Sequence, residues 1–332
     1  MFKLGIVGFP GLYGGASVEL DSHITLWKKM GIDLHIVPTH DVRNEPLLKK
    51  TKECATVHNA MEFPRLKGMP VLSFCNGDFL ENIALIKMYA SKTIFINCMT
   101  WLFSKEKEAH EKGLIDLFLY QNPDIQKKVS QDLIDINPEF NWKVFTSWFD
   151  DRAFPFHPFR MNDRFRFGRI SRQDGDKYTQ DCLHIYDSIL SPVAKSGIIL
   201  GYDDRTRKKI GNPPEYIRHF PGSGITQQEF YAHSSCIIQK TETFENWPRV
   251  AMEAMASGSV LIVDDKGGWQ SMIQHGETGF LCKDSKDFIY YASKMAYEPE
   301  CRHKIAETAL EAGKELYGER ASMESWKEVL EL

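Results

Sequence analysis

Short apolar runs recur along the chain, each followed by a stretch long enough for a helix. Residues 3–9, 33–37 (DLHIV), 71–74, 93–97 and 117–120 are short runs dominated by apolar side chains. Runs of this kind mark strands buried on both faces, which is the habit of parallel sheets. Between the first two runs an amphipathic segment passes through Trp27 and Met30 and stops at Gly31. The beat resumes later at 197–201 (GIILG), 216–220, 235–239 (SCIIQ) and 259–263 (SVLIV). Strand and helix signals in alternation predict an α/β protein of doubly wound parallel sheets. Arginine and phenylalanine alternate at 164–167, which predicts an edge or first strand with one buried face. The same interleaving also suits a single-stranded nucleic-acid surface, where bases stack on rings and arginine tracks phosphate. The last segment, 322–332, has helical spacing through Met323, Trp326, Val329 and Leu330.

Residues 150–163 (DDRAFPFHPFRMND) carry two prolines and no periodicity, and read as a hinge. With 332 residues the chain exceeds the usual size of a single core, so two domains are expected. A net charge of −4 supplies no global pull toward nucleic acid or membranes, although a local basic patch at 152–172 can still steer an anion. No apolar run approaches the roughly 18 residues that span a bilayer. The start, MFKLGIVGFPG, breaks at Pro10 and Gly11 and reads as a first strand, not a signal. Seven scattered cysteines with no CxxC pair read as reduced core residues of a cytosolic protein.

Candidate chemistry concentrates at 241–258 (TETFENWPRVAMEAMASG), where Glu245 and Glu253 are separated by seven residues. Pro248 suits a helix start because its missing N–H is an orphan there anyway. Val250, Ala251, Ala254 and Met255 supply the apolar face, and Gly258 ends the helix. Glu253 thus lies on the helix body and Glu245 in the loop before it, where free N–H groups and the helix dipole attract anions. The plainer reading is that acidic residues are common near helix starts and that Arg249 pairs with Glu253 four residues on. Downstream, strand 259–263 feeds Gly267 and Gly268 and a second helix, again an edge that favours phosphate.

The run 245–281 (ENWPRVAMEAMASGSVLIVDDKGGWQSMIQHGETGFL) resembles the C-terminal signature of GT-B glycosyltransferases, specifically the large retaining family 4. The spaced glutamates, the Ala-Met after the second, the strand, the Gly-Gly turn and the closing Gly-Glu-Thr-Gly loop carry the likeness in order. A second likeness is the opening of the later domain, Gly168-Arg169, leading through a loop to Lys177. The resemblance implies two Rossmann-like domains facing across a cleft: an acceptor-side domain over 1–155, a nucleotide-sugar-binding domain over 156–315, and a helix over 316–332 crossing back to the first. It implies that Glu253 bonds the ribose hydroxyls and Glu245 the donor sugar, with backbone amides near Asn246 and Trp247 helping. Arg169 and Lys177, with Arg172 as a third contact, would neutralise the donor diphosphate without a metal. Gly14 and Gly15 match a first-turn glycine pair that faces the donor. Asp174 and Asp176 superficially match the Asp-x-Asp metal motif of a different glycosyltransferase fold, but the flanking residues fit a turn.

The sequence departs from the family in three places. Asn246-Trp247-Pro248 replaces Gly-Phe-Gly, Ser271 stands where a glutamate is usual, and the loop 97–101 lacks the family's histidine. Acceptor contacts are expected from loops after the middle strands of the first domain, among them Asp78. The expected activity is transfer from a UDP- or GDP-sugar, with no cofactor or metal, by a cytoplasmic protein that can sit peripherally at a membrane. The acceptor is left open among lipid, polysaccharide and nucleic acid. A nucleotide-sugar 2-epimerase of the same fold and a non-catalytic nucleotide- or nucleic-acid-binding protein remain alternatives.

Overall fold

The computed structural model describes residues 1–9, 15–40, 45–157, 163–222 and 224–332, with backbone alone at 15 and 45–47. The chain divides into two compact units, Met1–Asp150 with Tyr317–Leu332, and Asp151–Leu316. Seven strands are described in the first: β1 (Lys3–Val7), β2 (Asp33–Val37), β3 (Thr56–Val57), β4 (Pro70–Phe74), β5 (Lys92–Asn97), β6 (Leu117–Tyr120) and β7 (Trp142–Val144). They pair in parallel in the order β3-β2-β1-β4-β5-β6-β7. The central strands are buried almost throughout because helices cover both faces, which is why they read as continuous apolar runs.

The helix Glu319–Leu330 belongs to this first core. Trp326 is fully buried, its ring 4.8 Å from that of Trp27 and at 89° to it, with Phe145 packed at 5.0 Å. Ser322 Oγ donates to the carbonyl of Ser147 at 2.8 Å, which fixes the helix along its length.

The second unit has six described strands: β8 (Arg164–Ile170), β9 (Ala194–Leu200), β10 (Ile217–Phe220), β11 (Cys236–Gln239), β12 (Val260–Asp264) and β13 (Gly279–Cys282). All pair in parallel, in the order β10-β9-β8-β11-β12-β13. The Arg/Phe strand is therefore the first of its unit but not an edge. β8 lies between β9 and β11, and its burial extends past Phe165 and Phe167 through Gly168, Arg169 and Ile170. Of the arginines in the basic stretch, Arg166 is bidentate to Asp163 at 2.7 and 3.2 Å and Arg169 is buried, which takes both out of an open cationic face. All seven cysteines are free; Cys182, Cys236 and Cys282 are buried, the other four partly so. No helix among the described residues is long and apolar enough to cross a membrane.

Candidate functional site

In the second unit the strand order reverses between β8 and β11, because the chain leaves β8 toward β9 on one side and returns to β11 on the other. Loops at such a switch point part and leave a crevice where ligands of open α/β sheets bind. The loop after β8 contributes Lys177, at the end of the short 3-10 turn Gly175–Lys177. The loop after β11 contributes Glu245. Lys177 Nζ donates to Glu245 Oε1 at 2.8 Å, and the two side chains keep only 13% and 16% of their exposure.

The Glu245 loop is built by polar contacts at its two ends. Thr241 N donates to Asp264 Oδ2 at 2.6 Å, and Lys266 Nζ donates to the Thr241 carbonyl at 2.6 Å. Burial raises the Asp264 carboxyl above the ordinary aspartate range, and the Thr241 amide offsets part of that shift. The Glu242 amide donates to the carbonyl of Asp176 at 3.1 Å, tying this loop to the turn that carries Lys177. At the far end, Gly268 N donates to the Glu245 carbonyl at 2.7 Å. The Gly-Gly pair is required there. Gly267 adopts φ of +61°, and a Cβ on Gly268 would lie 1.9 Å from the carbonyl oxygen of Asn246.

Glu253 projects from the helix Arg249–Ser257 into the interior and is 4% exposed. Tyr231, on the helix Gln227–His233, donates its hydroxyl to Glu253 Oε2 at 2.8 Å, and Arg249 Nε stands 3.8 Å from Oε1. Burial raises the Glu253 carboxyl; the Arg249 charge and the Tyr231 hydroxyl oppose that rise. The i,i+4 pairing with Arg249 expected from spacing is thus present. Pro248 caps the helix one residue before it begins, with φ −70° and ψ 114°, and its carbonyl accepts from Ala251 N at 2.9 Å. Gly258 closes the helix in the left-handed region, as its position implied.

The structure brings Lys177 and Glu245 together and sets Arg169 behind them. Arg169 is fully buried, its guanidinium lying 4.3 Å over the ring of Tyr178, and Nη2 donates to the carbonyl of Lys177. Its Nε and Nη1 find no hydrogen-bond partner, nor does the buried Oε1 of Gln239 at the end of β11. Asn246 is buried, and the indole N–H of Trp247 is buried without an acceptor. Arg172 is exposed and pairs with Asp174 Oδ2 at 3.2 Å, apart from this group. Asp176 accepts from Thr243 Oγ1 at 3.3 Å, and the Asp174 carbonyl accepts from Lys177 N at 3.0 Å, so both aspartates serve the turn.

Asp78 and Gly15 lie in the first unit; Gly14 lies outside the described residues. Gly15 opens the helix Gly15–Lys29. Asp78, in the helix Gly77–Glu81, accepts from Thr39 Oγ1 at 2.8 Å and lies 3.3 Å from His40 Nδ1. Sequence reasoning missed Tyr231, Tyr178 and Asp264. Asp264 had a visible signal as the polar residue ending an apolar strand, whereas the tyrosines sit among core aromatics with nothing to set them apart.

Two parallel α/β units with these strand orders make the fold that of GT-B glycosyltransferases. Residues 219–312, the stretch holding Glu245, Glu253 and the Gly267-Gly268 turn, match the family described as Glycosyl transferases group 1. Among solved structures, HepE of Anabaena in complex with UDP-glucose is similar over 100% of both chains, at 15% identity and a TM-score of 0.74. Sucrose-phosphate synthase from Thermosynechococcus elongatus is similar over 100% of this chain and 98% of its own, at 12% identity and a TM-score of 0.77. TarM reaches a TM-score of 0.80 at 11% identity, over 100% and 99% of the two chains. No curated protein sequence matches the chain significantly.

Proposed function

We propose that the protein is a retaining, metal-independent glycosyltransferase of the family 4 kind, moving a sugar from a nucleoside diphosphate sugar to an acceptor hydroxyl. The observation that carries this reading is the Lys177–Glu245 pair at the switch point, on a loop that continues directly into the helix bearing the buried Glu253. A cation and a carboxylate in contact suit a ligand with an anionic part and a hydroxyl-rich part.

In this reading the bond from the sugar's anomeric carbon to the phosphate oxygen breaks, and the electron pair leaves with the diphosphate. Lys177 stabilises that charge, and Arg169 holds the Lys177 turn by its bond to the Lys177 carbonyl. The acceptor oxygen bonds to the anomeric carbon on the face the diphosphate leaves, and its proton passes to the departing phosphate oxygen. Glu245 orients the donor sugar and offsets developing positive charge. Glu253 accepts from the ribose hydroxyls through charge-assisted bonds. Backbone amides around Asn246 and Trp247 complete the donor contacts.

UDP-sugars head the donor panel because HepE, similar over its whole length, has been solved with UDP-glucose. The test is a thermal-shift screen of the purified chain against UDP-, GDP-, ADP-, CMP- and dTDP-sugars in the presence of a chelator, followed by an assay of slow donor hydrolysis. A donor-specific rise in melting temperature with hydrolysis supports the reading; no rise with any of the five rejects it.

A further inference from the structure

We propose that Cys75 and Cys98 form a redox-modification site, at which a small-molecule disulfide converts the two thiols into a reversible intramolecular disulfide. The new bond clamps the loop after β4 to the loop after β5. The inference stands on the first unit alone and is independent of the transferase reading.

The sheet brings the two residues side by side, although 23 positions separate them in sequence. β4 and β5 pair in parallel with Phe74 opposite Ile96, and Cys75 N continues the ladder by donating to the Ile96 carbonyl at 2.9 Å. Cys98 stands two residues beyond Ile96. Ordinary strand spacing and rise then put the Cα atoms of Cys75 and Cys98 roughly 6 Å apart, within the span that a disulfide bridges. The side chains use that proximity. Cys98 N donates to Cys75 Sγ at 2.6 Å. The Cys98 thiol is held well above the ordinary thiol range, first by its hydrogen bond to Cys75, then by burial and by the charges of Cys75 and Glu19. Both loops are fixed in this arrangement. Cys75 adopts φ of +46°, a conformation that costs a non-glycine residue and persists where the surroundings impose it. The next residue, Asn76, is tied down at both ends of its amide: Oδ1 accepts from Phe79 N at 2.8 Å and Nδ2 donates to the Gly8 carbonyl at 3.4 Å. On the other loop, Asn97 accepts from Met99 N at 2.7 Å and donates to the Trp101 carbonyl at 3.1 Å. Two thiols held against each other in this way react together far more readily than with a free thiol.

The two cysteines take different parts in the exchange. Both are partly exposed, and Cys98 is kept in its protonated form, so Cys75 attacks first. Its thiolate bonds to one sulfur of the small disulfide and expels the other half as a thiolate, which leaves Cys75 in a mixed disulfide. Cys98 then gives up its proton, bonds to the Cys75 sulfur and expels the second half. The two protein thiols lose two electrons and two protons, and the small disulfide gains them as two thiols. The second step is the slower because the Cys98 thiolate is scarce. Reaction in the reverse direction with an excess of small thiol opens the bond again. The remaining cysteines provide the comparison: Cys182, Cys236 and Cys282 are buried in the core of the second unit, and Cys54 and Cys301 are partly exposed.

The test incubates the full, folded chain with oxidised glutathione and reads intact mass, linked peptides after digestion, and backbone hydrogen exchange. The wild-type chain should lose two hydrogens in mass, with the peptides that carry Cys75 and Cys98 joined, and dithiothreitol should restore the starting mass. Exchange should slow in the loops after β4 and β5 in the oxidised form. Cys98→Ser should stop at a glutathione adduct on Cys75, whereas Cys75→Ser should give neither the link nor an adduct on Cys98. Cys54→Ser and Cys301→Ser should keep the link. Melting temperatures show whether each variant is folded, and Cys75→Ala stands in if Cys75→Ser is not. The wild-type measurement needs no variant: a folded chain that joins Cys75 or Cys98 to a different cysteine, or forms no link between them under conditions that oxidise the denatured chain, overturns the proposal. So does an oxidised form whose exchange in both loops equals that of the reduced form.

Discussion

Lys177 and Glu245, 68 residues apart in sequence, meet at 2.8 Å where the second unit's strand order reverses. In this pair each side chain occupies the other, so on the proposed reading a diphosphate bound at Lys177 would compete with Glu245. The Glu245→Gln variant should therefore bind a free nucleoside diphosphate about fivefold more tightly than wild type while hydrolysing the donor sugar more slowly. Lys177→Met should weaken diphosphate binding. Calorimetric titration of the two variants with UDP and GDP checks the signs, and weaker binding by Glu245→Gln would mean that the carboxylate does not compete.

A second expectation concerns Tyr231. Its hydroxyl donates to a carboxylate that burial already drives toward the protonated form. Removing that donor raises the Glu253 carboxyl further, because a hydrogen bond to the charged form favours it. Tyr231→Phe should lose about 1.5–3 kcal/mol of stability and raise the donor KM, with the lost affinity recovering as pH increases. A KM that is raised equally at all pH values would assign Tyr231 a packing role alone.

Glu106 sets a pH dependence in the first unit. Its carboxyl is pushed up to about 7 from an ordinary 4.5, by burial first, with the Phe103 amide and Asn97 opposing. The folded form thus holds its proton over a range in which the unfolded chain releases it. Stability from this group is fully present below pH 4.5 and declines as pH rises to about 7, a loss on the order of 3 kcal/mol. Glu106→Gln should flatten the dependence of melting temperature on pH between 5 and 8. An unchanged slope would show that the carboxyl is not the titrating group.

Much of this architecture is legible in the chain. The runs that became β1, β4, β5 and β6 are nearly continuous because both faces are buried, and burial on both faces is what makes a strand readable. The flanking strands β3 and β7 are short and half-exposed, so no apolar run announced Thr56–Val57 or Trp142–Val144. The alternation of Arg164 to Phe167 pointed to a strand with one buried face, yet β8 is central. Its place between β9 and β11 is set by pairing with distant strands, and no local pattern carries that.

The site divides in the same way. Helix chemistry placed Glu253, and its ion pair with Arg249 followed from spacing four residues apart. The partners that hold these groups were hidden. Tyr231 lies on another helix, and its one informative atom is a hydroxyl at the end of an otherwise apolar ring. The contact of Lys177 with Glu245 depends on two loops brought side by side by the sheet order. The family resemblance marks Arg169 as a cation for the diphosphate but does not show its burial, which follows from its position near the end of a central strand, over Tyr178.

The most direct test of the central claim is the affinity of the purified chain for UDP and GDP, without metal, compared with that of Glu253→Ala. The account predicts that wild type binds one of the two and that Glu253→Ala loses about tenfold or more in affinity, since the ribose hydroxyls lose a charged acceptor. Equal affinity in the two proteins, or no binding of either nucleotide by wild type, would contradict it.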